Sequence, residues 1–202
     1  MERKPMAKNS QKVQPMTHKI TATAMLAAAA TALMFLDFSV PFTPSFLKMD
    51  MSELPALLAS FSLGPVYGVA VCLIKNLFNL VRTTTGGIGE LCNFLLGACF
   101  VFPAGLIYQK LKTRKGALIG ALVGAVIMSL LSLPINYYII YPMYDKFIPI
   151  EAIIDLYQVI YPALDTLLKC LIVNIVFTFT KGVIDVTLTF LIYKKISPIL
   201  HR

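Results

Sequence analysis

Residues 48–55 (KMDMSELP) place three charged side chains between two long apolar stretches of the chain. A turn between two membrane helices can be built from small polar residues alone. A charge at the mouth of a membrane bundle costs free energy unless it meets a partner. The chemistry that this segment supports is therefore the binding of a polar ligand, and Lys48 and Asp50 are the first candidates for it.

The last long apolar segment carries four polar side chains at spacings of 4, 3 and 4 residues: Asn174, Thr178, Lys181 and Asp185. In a helix this spacing puts all four on one face. An ammonium near the middle of a membrane costs about 2.5–3.5 kcal/mol on insertion scales. Two interpretations stay open: Lys181 pairs with Asp185 one turn later, or Lys181 and Thr178 meet a polar ligand from the outer half of the membrane.

Shorter polar stripes occur at helical spacing in three other segments: Lys75, Asn79 and Arg82; Glu90, Asn93 and Gly97; Ser129, Ser132 and Asn136. Each stripe alone is compatible with hydrogen bonds between helices, which contribute about 1 kcal/mol per contact. Several stripes in the outer half, beneath a charged loop, are better explained by one shared cavity. Asn93 and Asn136 therefore join the candidate ligand-binding residues.

The composition indicates an integral membrane protein: 57% of the 202 residues are hydrophobic and 14% are charged, with a mean hydropathy of +0.76. The net charge of +8 arises largely from basic clusters within residues 3–19, 110–115 and 194–202. Such clusters face the cytoplasm and contact anionic lipid. They predict topology and lipid contact, and no nucleic-acid partner is expected.

Apolar segments predict six helices, at residues 20–38, 54–63, 66–81, 91–111, 117–141 and 164–193. A spanning helix needs about 20 residues, so the second is a partial span that ends at Gly64-Pro65. The predicted fold is an all-α membrane protein, a six-helix transmembrane bundle with a short second helix and both termini cytoplasmic. The expected organisation is a basic tail at 1–19, one transmembrane domain at 20–195 and a tail at 196–202. A short interfacial helix within 150–160 is expected to cover an outward-facing cavity.

The sequence lacks several motifs that mark catalytic and metal-binding sites. The sequence has no GxxxxGK[ST] phosphate loop, no HExxH and no GxSxG. The cysteines stand singly in apolar runs, and His18 and His201 lie in the two tails, so neither a metal site nor a resident cofactor is expected. We therefore expect a binding subunit and not an enzyme.

The first apolar segment contains a ridge of small residues, Ala24, Ala28 and Ala32, at intervals of one helical turn. Small residues at this spacing let two helix backbones approach closely. The ridge has two interpretations, packing inside the bundle or docking of another membrane subunit.

Several stretches of the sequence resemble the substrate-binding S components of energy-coupling factor (ECF) transporters, in particular the riboflavin-binding type: FLKMDMSELPAL (46–57), LGPVYG (63–68), LIKNL (73–77), GELCNF (89–94), LPINY (133–137) and TFTKG (178–182). The similarity extends over nearly all of residues 20–195. It implies a six-helix bundle in a prokaryotic plasma membrane that captures riboflavin from outside. The bundle would join a membrane scaffold protein and two cytoplasmic ATPases, and ATP hydrolysis would reorient it to release the ligand inside.

The resemblance also implies residue roles. The loop after the first helix closes over the flavin, Asn136 matches a position that bonds it, and Lys181 matches a lysine near it. Thr178 stands where relatives often carry Asn, which leaves its contact open. The alanine ridge matches the surface that docks the scaffold.

An isoalloxazine ring has an apolar and a polar edge, and it suits a pocket with apolar walls and a few convergent polar groups. The candidate ligand-binding residues are Phe46, Leu47, Lys48, Met49, Asp50, Asn93, Asn136, Tyr141, Thr178 and Lys181. Two alternatives remain: an S component for another vitamin, and a membrane-embedded lipid-modifying enzyme.

Overall fold

The computed structural model describes residues 16–40, 43–44 and 47–200, with side chains described through residue 192. The elements in chain order are α1 (Met16–Met34), β1 (Phe38–Ser39), β2 (Lys48–Met49), α2 (Glu53–Ser62), α3 (Pro65–Asn79), α4 (Ile88–Leu111), α5 (Arg114–Ile135), α6 (Tyr141–Tyr144), α7 (Ile150–Gln158) and α8 (Leu167–Leu200). A 3-10 turn at Leu80–Arg82 extends α3, and a π-helical segment at Asn136–Ile140 joins α5 to α6.

Three helices of the described chain are long and apolar enough to cross a membrane: α4, the continuous helix Arg114–Tyr144 that combines α5 and α6, and α8 as far as Ile192. Their most apolar windows have mean hydropathies of 1.9, 2.4 and 1.8. Together with the dominance of helix in the element order, these spans confirm an all-α membrane protein.

The short second helix predicted at 54–63 is found as α2, which has 10 residues, nine of them buried. At 1.5 Å per residue α2 is about 15 Å long, roughly half the hydrocarbon thickness of a bilayer. α2 ends at Ser62, and Pro65 begins α3 directly after Gly64, whose φ of 123° lies where side chains are disfavoured. Glu53, in the first turn of α2, lines the cavity described below.

Small residues bring the long helices close together. A Cβ atom at Gly124 of α5 would lie 2.4 Å from the Phe100 carbonyl oxygen of α4. A Cβ at Gly182 of α8 would lie 2.9 Å from both Ala125 and Met128 of α5. These glycines permit backbone approach, and Gly182 fixes the position of its neighbour Lys181 against the bundle.

The boundaries differ from the sequence prediction in places. α1 begins at Met16 and ends at Met34, before the predicted 38, and the following loop forms a small antiparallel ladder in which Phe38 pairs with Met49. Hydropathy gives no signal for so short a ladder. In the fifth predicted segment, Pro134 lies just before the π-helical turns, where an interrupted helical ladder is expected.

A candidate ligand-binding cavity

A cavity of about 620 Å³ lies between α4, the α5–α6 helix and α8. The loop that precedes α2 and the loop that connects α3 to α4 also contribute to its wall, and α7 contributes Ile153 and Leu156. Apolar side chains such as Leu96, Met128 and Phe177 form much of the lining. The predicted short helix at 150–160 is therefore present as α7 and does border a cavity.

Eight of the ten candidate residues line this cavity: Leu47, Lys48, Asp50, Asn93, Asn136, Tyr141, Thr178 and Lys181. Met49 is buried but is not part of the lining. Phe46 lies outside the described residues. At least one member of each of the four polar stripes lines this space, whereas contact of each residue with a ligand stays a prediction.

Lys181 of α8 is paired with the loop before α2. Its Nζ donates to Asp50 Oδ2 at 2.9 Å, with a longer contact to Asn93 Oδ1 at 3.4 Å. In this structure Lys181 is not paired with Asp185, because its ammonium is turned toward Asp50 and the cavity. Contact of Lys181 with a ligand stays a prediction.

Asp50 is held as a carboxylate by its surroundings. The backbone N–H and the hydroxyl of Ser52 both donate to Asp50 Oδ1. Burial alone would raise the pKa of Asp50, but the charges of Lys181 and Lys75 outweigh burial and keep that pKa below its ordinary value. The buried loop therefore carries a fixed negative charge against the ammonium of α8.

A second buried ion pair lies beside the first. Lys75 of α3 donates from Nζ to Glu53 Oε1 at 2.7 Å and to the Ser52 hydroxyl at 2.5 Å. Gly97 makes room for it, since a Cβ there would lie 3.0 Å from both Glu53 carboxylate oxygens. Glu53 lines the cavity while Lys75 does not. The expected polar stripe on α3 is therefore split: Lys75 holds α2 in place, whereas Asn79 and Arg82 reach the cavity.

The two candidate asparagines sit differently. The side-chain amide of Asn93 donates to Asn76 Oδ1 at 3.2 Å, and its oxygen faces Lys181. The amide of Asn136 donates to the Ser132 carbonyl at 2.7 Å, which leaves its oxygen with only a weak thiol donor, Cys92 Sγ at 3.6 Å. Asn136 therefore presents an acceptor to the cavity.

Three carboxylates on the wall were not among the sequence candidates: Asp37, Glu53 and Glu90. Glu90 accepts hydrogen bonds from the Thr83 hydroxyl at 2.9 Å and from the Asn79 amide at 3.1 Å. Glu90 belonged to the fourth-helix stripe, so helical spacing was the signal that could have identified it.

A ring of three side chains joins α7 to the wall of the cavity. The Tyr157 hydroxyl donates to Asn174 Oδ1 at 2.5 Å, the Asn174 amide donates to the Tyr141 oxygen at 3.2 Å, and the two tyrosine oxygens lie 3.3 Å apart. Sequence analysis identified Tyr141 and the Asn174 position but missed Tyr157. This ring ties the short helix to α8 and to the π-helical region.

The loop after α1 is stabilised at the mouth by one contact within the loop and one to the end of α3. Lys48 pairs with Asp37 at 2.9 Å across the exposed side of the ladder. The Arg82 guanidinium donates to the Phe35 carbonyl at 3.2 Å and lies 4.8 Å from the centroid of the Phe35 ring. Both pairs are within reach of water, unlike the Lys181–Asp50 pair.

The alanine ridge of α1 faces outward. Ala24, Ala28 and Ala32 are exposed, whereas Ala27 and Ala30 are buried against the bundle. The interpretation that the ridge packs inside the bundle is therefore wrong. The docking role stays a prediction.

Comparison with known proteins places these features in a family. The family model described as the ECF transporter, substrate-specific component, matches residues 18–193. The chain belongs to this family of ECF transporter substrate-specific components. Because the family consists of transporter components, its membership confirms that this chain is not an enzyme.

Similar proteins include riboflavin transporters. The riboflavin transporter RibU of Staphylococcus aureus (strain TCH60) is 31% identical over 186 residues, which cover 91% of this chain and 93% of that protein. The riboflavin transporter FmnP of Bacillus subtilis (strain 168) is 32% identical over 183 residues, covering 89% and 92%. A solved S component of a bacterial ECF transporter superposes with a TM-score of 0.74 at 29% identity, covering 93% of this chain and all of that one.

Proposed function

We propose that this chain is the riboflavin-binding S component of an ATP-driven ECF importer. It captures riboflavin from outside the cell and delivers it inward by reorienting on the ECF module. The observation that carries the proposal is the 620 Å³ cavity in which polar residues from α4, from the π-helical segment after α5 and from α8 converge. Full-length similarity to two riboflavin transporters supports the choice of ligand.

The cavity has the chemical character that a flavin requires. Ligand pockets of about 300–1,000 Å³ with apolar walls and a few convergent polar groups are typical of small-molecule sites. In our proposal the dimethylbenzene edge of the ring packs against Leu96, Met128 and Phe177, all of which line the cavity. The polar edge faces the Asn136 oxygen, the Thr178 hydroxyl and the Lys181 ammonium. Loss of a hydrogen bond to a buried neutral group costs about 0.5–1.5 kcal/mol and more for a charged one.

The loop between α1 and α2 serves as the cover of the site in this proposal. Lys48 and Asp50 lie on the cavity wall; Lys48 pairs with Asp37 within the loop, whereas Asp50 pairs with Lys181 of α8. Riboflavin reaches the cavity when the loop lifts, and the Asp50–Lys181 pair closes the loop behind it. Leu47 then contributes apolar contact from above, with Phe46 and Met49 as further candidates.

Family membership supports the partners and the topology that we propose. The exposed ridge Ala24, Ala28 and Ala32 docks the membrane scaffold subunit, and two cytoplasmic ATPases complete the transporter. The chain forms a six-helix bundle in a prokaryotic plasma membrane, with both termini cytoplasmic and the transmembrane domain at 20–195. The basic tails at 1–19 and 196–202 contact anionic lipid.

Quenching of riboflavin fluorescence by the purified protein tests this function. We expect saturable quenching by wild type, and weaker binding by the Thr178→Ala variant. The matched control is Thr180→Ala, because Thr180 is exposed on the same helix and bonds only its own backbone. A hydrogen bond lost to a neutral group predicts an increase in Kd of about 2- to 12-fold for Thr178→Ala and none for Thr180→Ala.

Fluorescence quenching combined with thermal-shift measurements separates the alternative ligands. Absence of quenching together with a thermal shift in the presence of thiamine, biotin, pantothenate or folate would assign the S component to another vitamin. Absence of any response to these ligands would contradict the proposed function.

A further inference from the structure

Asp185 is buried in α8 without a hydrogen-bond partner. Its side chain is 1% exposed, and its two carboxylate oxygens are the only buried side-chain polar atoms without a partner in the described part of the chain. An ionised carboxylate in such a place, inside a membrane-spanning helix, carries a large desolvation penalty. The group must therefore be neutral or must gain a cation.

The neighbouring charges already balance without Asp185. The charges that act on it come from Lys181 on the same helix, Glu53 on α2, Lys75 on α3 and Asp50 in the loop before α2. These four residues form two buried ion pairs, Lys181 with Asp50 and Lys75 with Glu53. The neighbouring helix α5 offers no titratable side chain between residues 116 and 136. An ionised Asp185 would thus leave the cluster with one uncompensated negative charge.

We propose that Asp185 is a proton-binding site and the second acceptor for Lys181. While Lys181 is paired with Asp50, the Asp185 carboxyl holds a proton and is neutral. When the loop lifts and carries Asp50 away, the ammonium turns to Asp185 one helical turn along α8. The Asp185 O–H bond then breaks, its proton passes to water that enters as the loop lifts, and the carboxylate pairs with Lys181.

Charge balance makes this exchange favourable. In both states the buried part of the cluster is neutral, with two ion pairs and a protonated carboxyl before the exchange and two ion pairs after it. Removing one member of a buried pair leaves a lone buried charge, which is strongly destabilising. The spacing of four residues brings two side chains to the same face of a helix. Because Asp185 can replace Asp50 as its partner, Lys181 stays in an ion pair when Asp50 moves away with the loop.

The inference rests on the proposed function in one respect, that passage of the ligand is the event that lifts the loop. Its test needs no ligand, so its failure is distinguishable from a failure to bind riboflavin. The infrared spectrum of the full chain in lipid nanodiscs at neutral pH reports a protonated carboxyl through its C=O stretch. We expect this band in wild type, its loss in Asp185→Asn, and its retention in Asp165→Asn, where an exposed carboxylate is replaced. Identical spectra for wild type and Asp185→Asn would overturn the proton site.

The exchange is tested by Asp50→Asn. With Asp50 neutral, Lys181 loses its charged acceptor, so we expect the ammonium to pair with Asp185 and the protonated-carboxyl band to disappear at neutral pH. An unchanged band in Asp50→Asn would overturn the exchange.

Hydrogen exchange supplies a second measurement that does not require Asp50→Asn to fold. In the Asp185→Asn variant the side-chain amide has the shape of the neutral carboxyl, and Lys181 has no second charged acceptor. We expect amide exchange in residues 47–52 to slow severalfold relative to wild type, while exchange in Asp165→Asn is unchanged. Equal rates in wild type and Asp185→Asn would contradict the proposal.

Discussion

Lys181 and Asp50 are 131 positions apart in the sequence and 2.9 Å apart in the structure. The pair ties α8 to the loop that precedes α2, and both residues line the cavity. Both side chains are largely buried, with exposed fractions of 10% and 6%. This ion pair joins a helix of the bundle to the loop over the cavity mouth. Opening of the loop therefore requires that the pair between Lys181 and Asp50 break.

Removal of one member of this pair is expected to destabilise the protein. Lys181→Met leaves Asp50 buried without its cation, which predicts a loss of about 3–5 kcal/mol and a lower Tm in detergent. Replacement of both residues, by Met and Asn, is expected to recover much of that loss because no lone charge remains. A double variant as unstable as the single one would contradict this account.

The matched control for that experiment is the exposed pair of Lys169 and Asp165, at 2.6 Å. Solvent screens such a pair, so Lys169→Met is expected to change the free energy of unfolding by about 0–1 kcal/mol.

The contribution of the Asp50 carboxylate has a defined pH range. Its pKa is lower in the folded protein than in the unfolded chain, so its stabilisation is fully present above the unfolded value, about 3.9, and is lost as pH falls through the folded value. The difference in Tm between wild type and Asp50→Asn is therefore expected to stay constant from about pH 8 to pH 5. A difference that disappears at pH 6 would mean that Asp50 is not held as a carboxylate.

The ring of Tyr157, Asn174 and Tyr141 is expected to control how long the ligand stays. Tyr157→Phe removes the hydroxyl that bonds Asn174 at 2.5 Å and leaves buried polar groups unsatisfied, a cost of about 1–3 kcal/mol. We expect α7 to detach more readily and the riboflavin dissociation rate in stopped-flow fluorescence to rise about 5- to 150-fold. Tyr161→Phe is the control, because Tyr161 is an exposed residue just beyond α7. Equal dissociation rates for the two variants would argue against a role for the ring.

The exposed alanine ridge gives a prediction that distinguishes docking of the scaffold subunit from binding of riboflavin. Ala28→Leu adds bulk to a surface where close helix approach needs small residues, so the amount of scaffold subunit that copurifies is expected to fall while riboflavin affinity is unchanged. Ala29→Leu, exposed on α1 but off the ridge, is expected to keep both. If the scaffold subunit still copurifies with the Ala28→Leu variant, the docking surface lies elsewhere.

Much of the architecture could be predicted because it depends on local signals. The length of α2 follows from the Gly64-Pro65 break, and α4 and α8 follow from hydropathy. Helical spacing predicted that the stripes at Asn93, Asn136 and Lys181 share a space, and they line one cavity.

The remaining features depend on helix rotation and on where a loop comes to lie, which spacing alone does not determine. Asp185 is four residues from Lys181, yet the ammonium meets Asp50 from another part of the chain. Lys75 lay in a polar stripe but faces away from the cavity and holds Glu53. Tyr157 lies in an amphipathic segment. The periodicity of such a segment does not reveal that one of its buried side chains carries a hydroxyl with a specific hydrogen-bond partner.

The central claim is that the cavity between α4, α5 and α8 holds riboflavin. Its most direct test is the identity of the small molecule released from protein purified gently from a flavin-containing host, determined by absorption spectrum and mass. The account predicts yellow protein that releases riboflavin in a stoichiometric amount, and a reduced amount from Lys181→Met. Colourless protein that releases another vitamin, or nothing, and that fails to take up added riboflavin would contradict it.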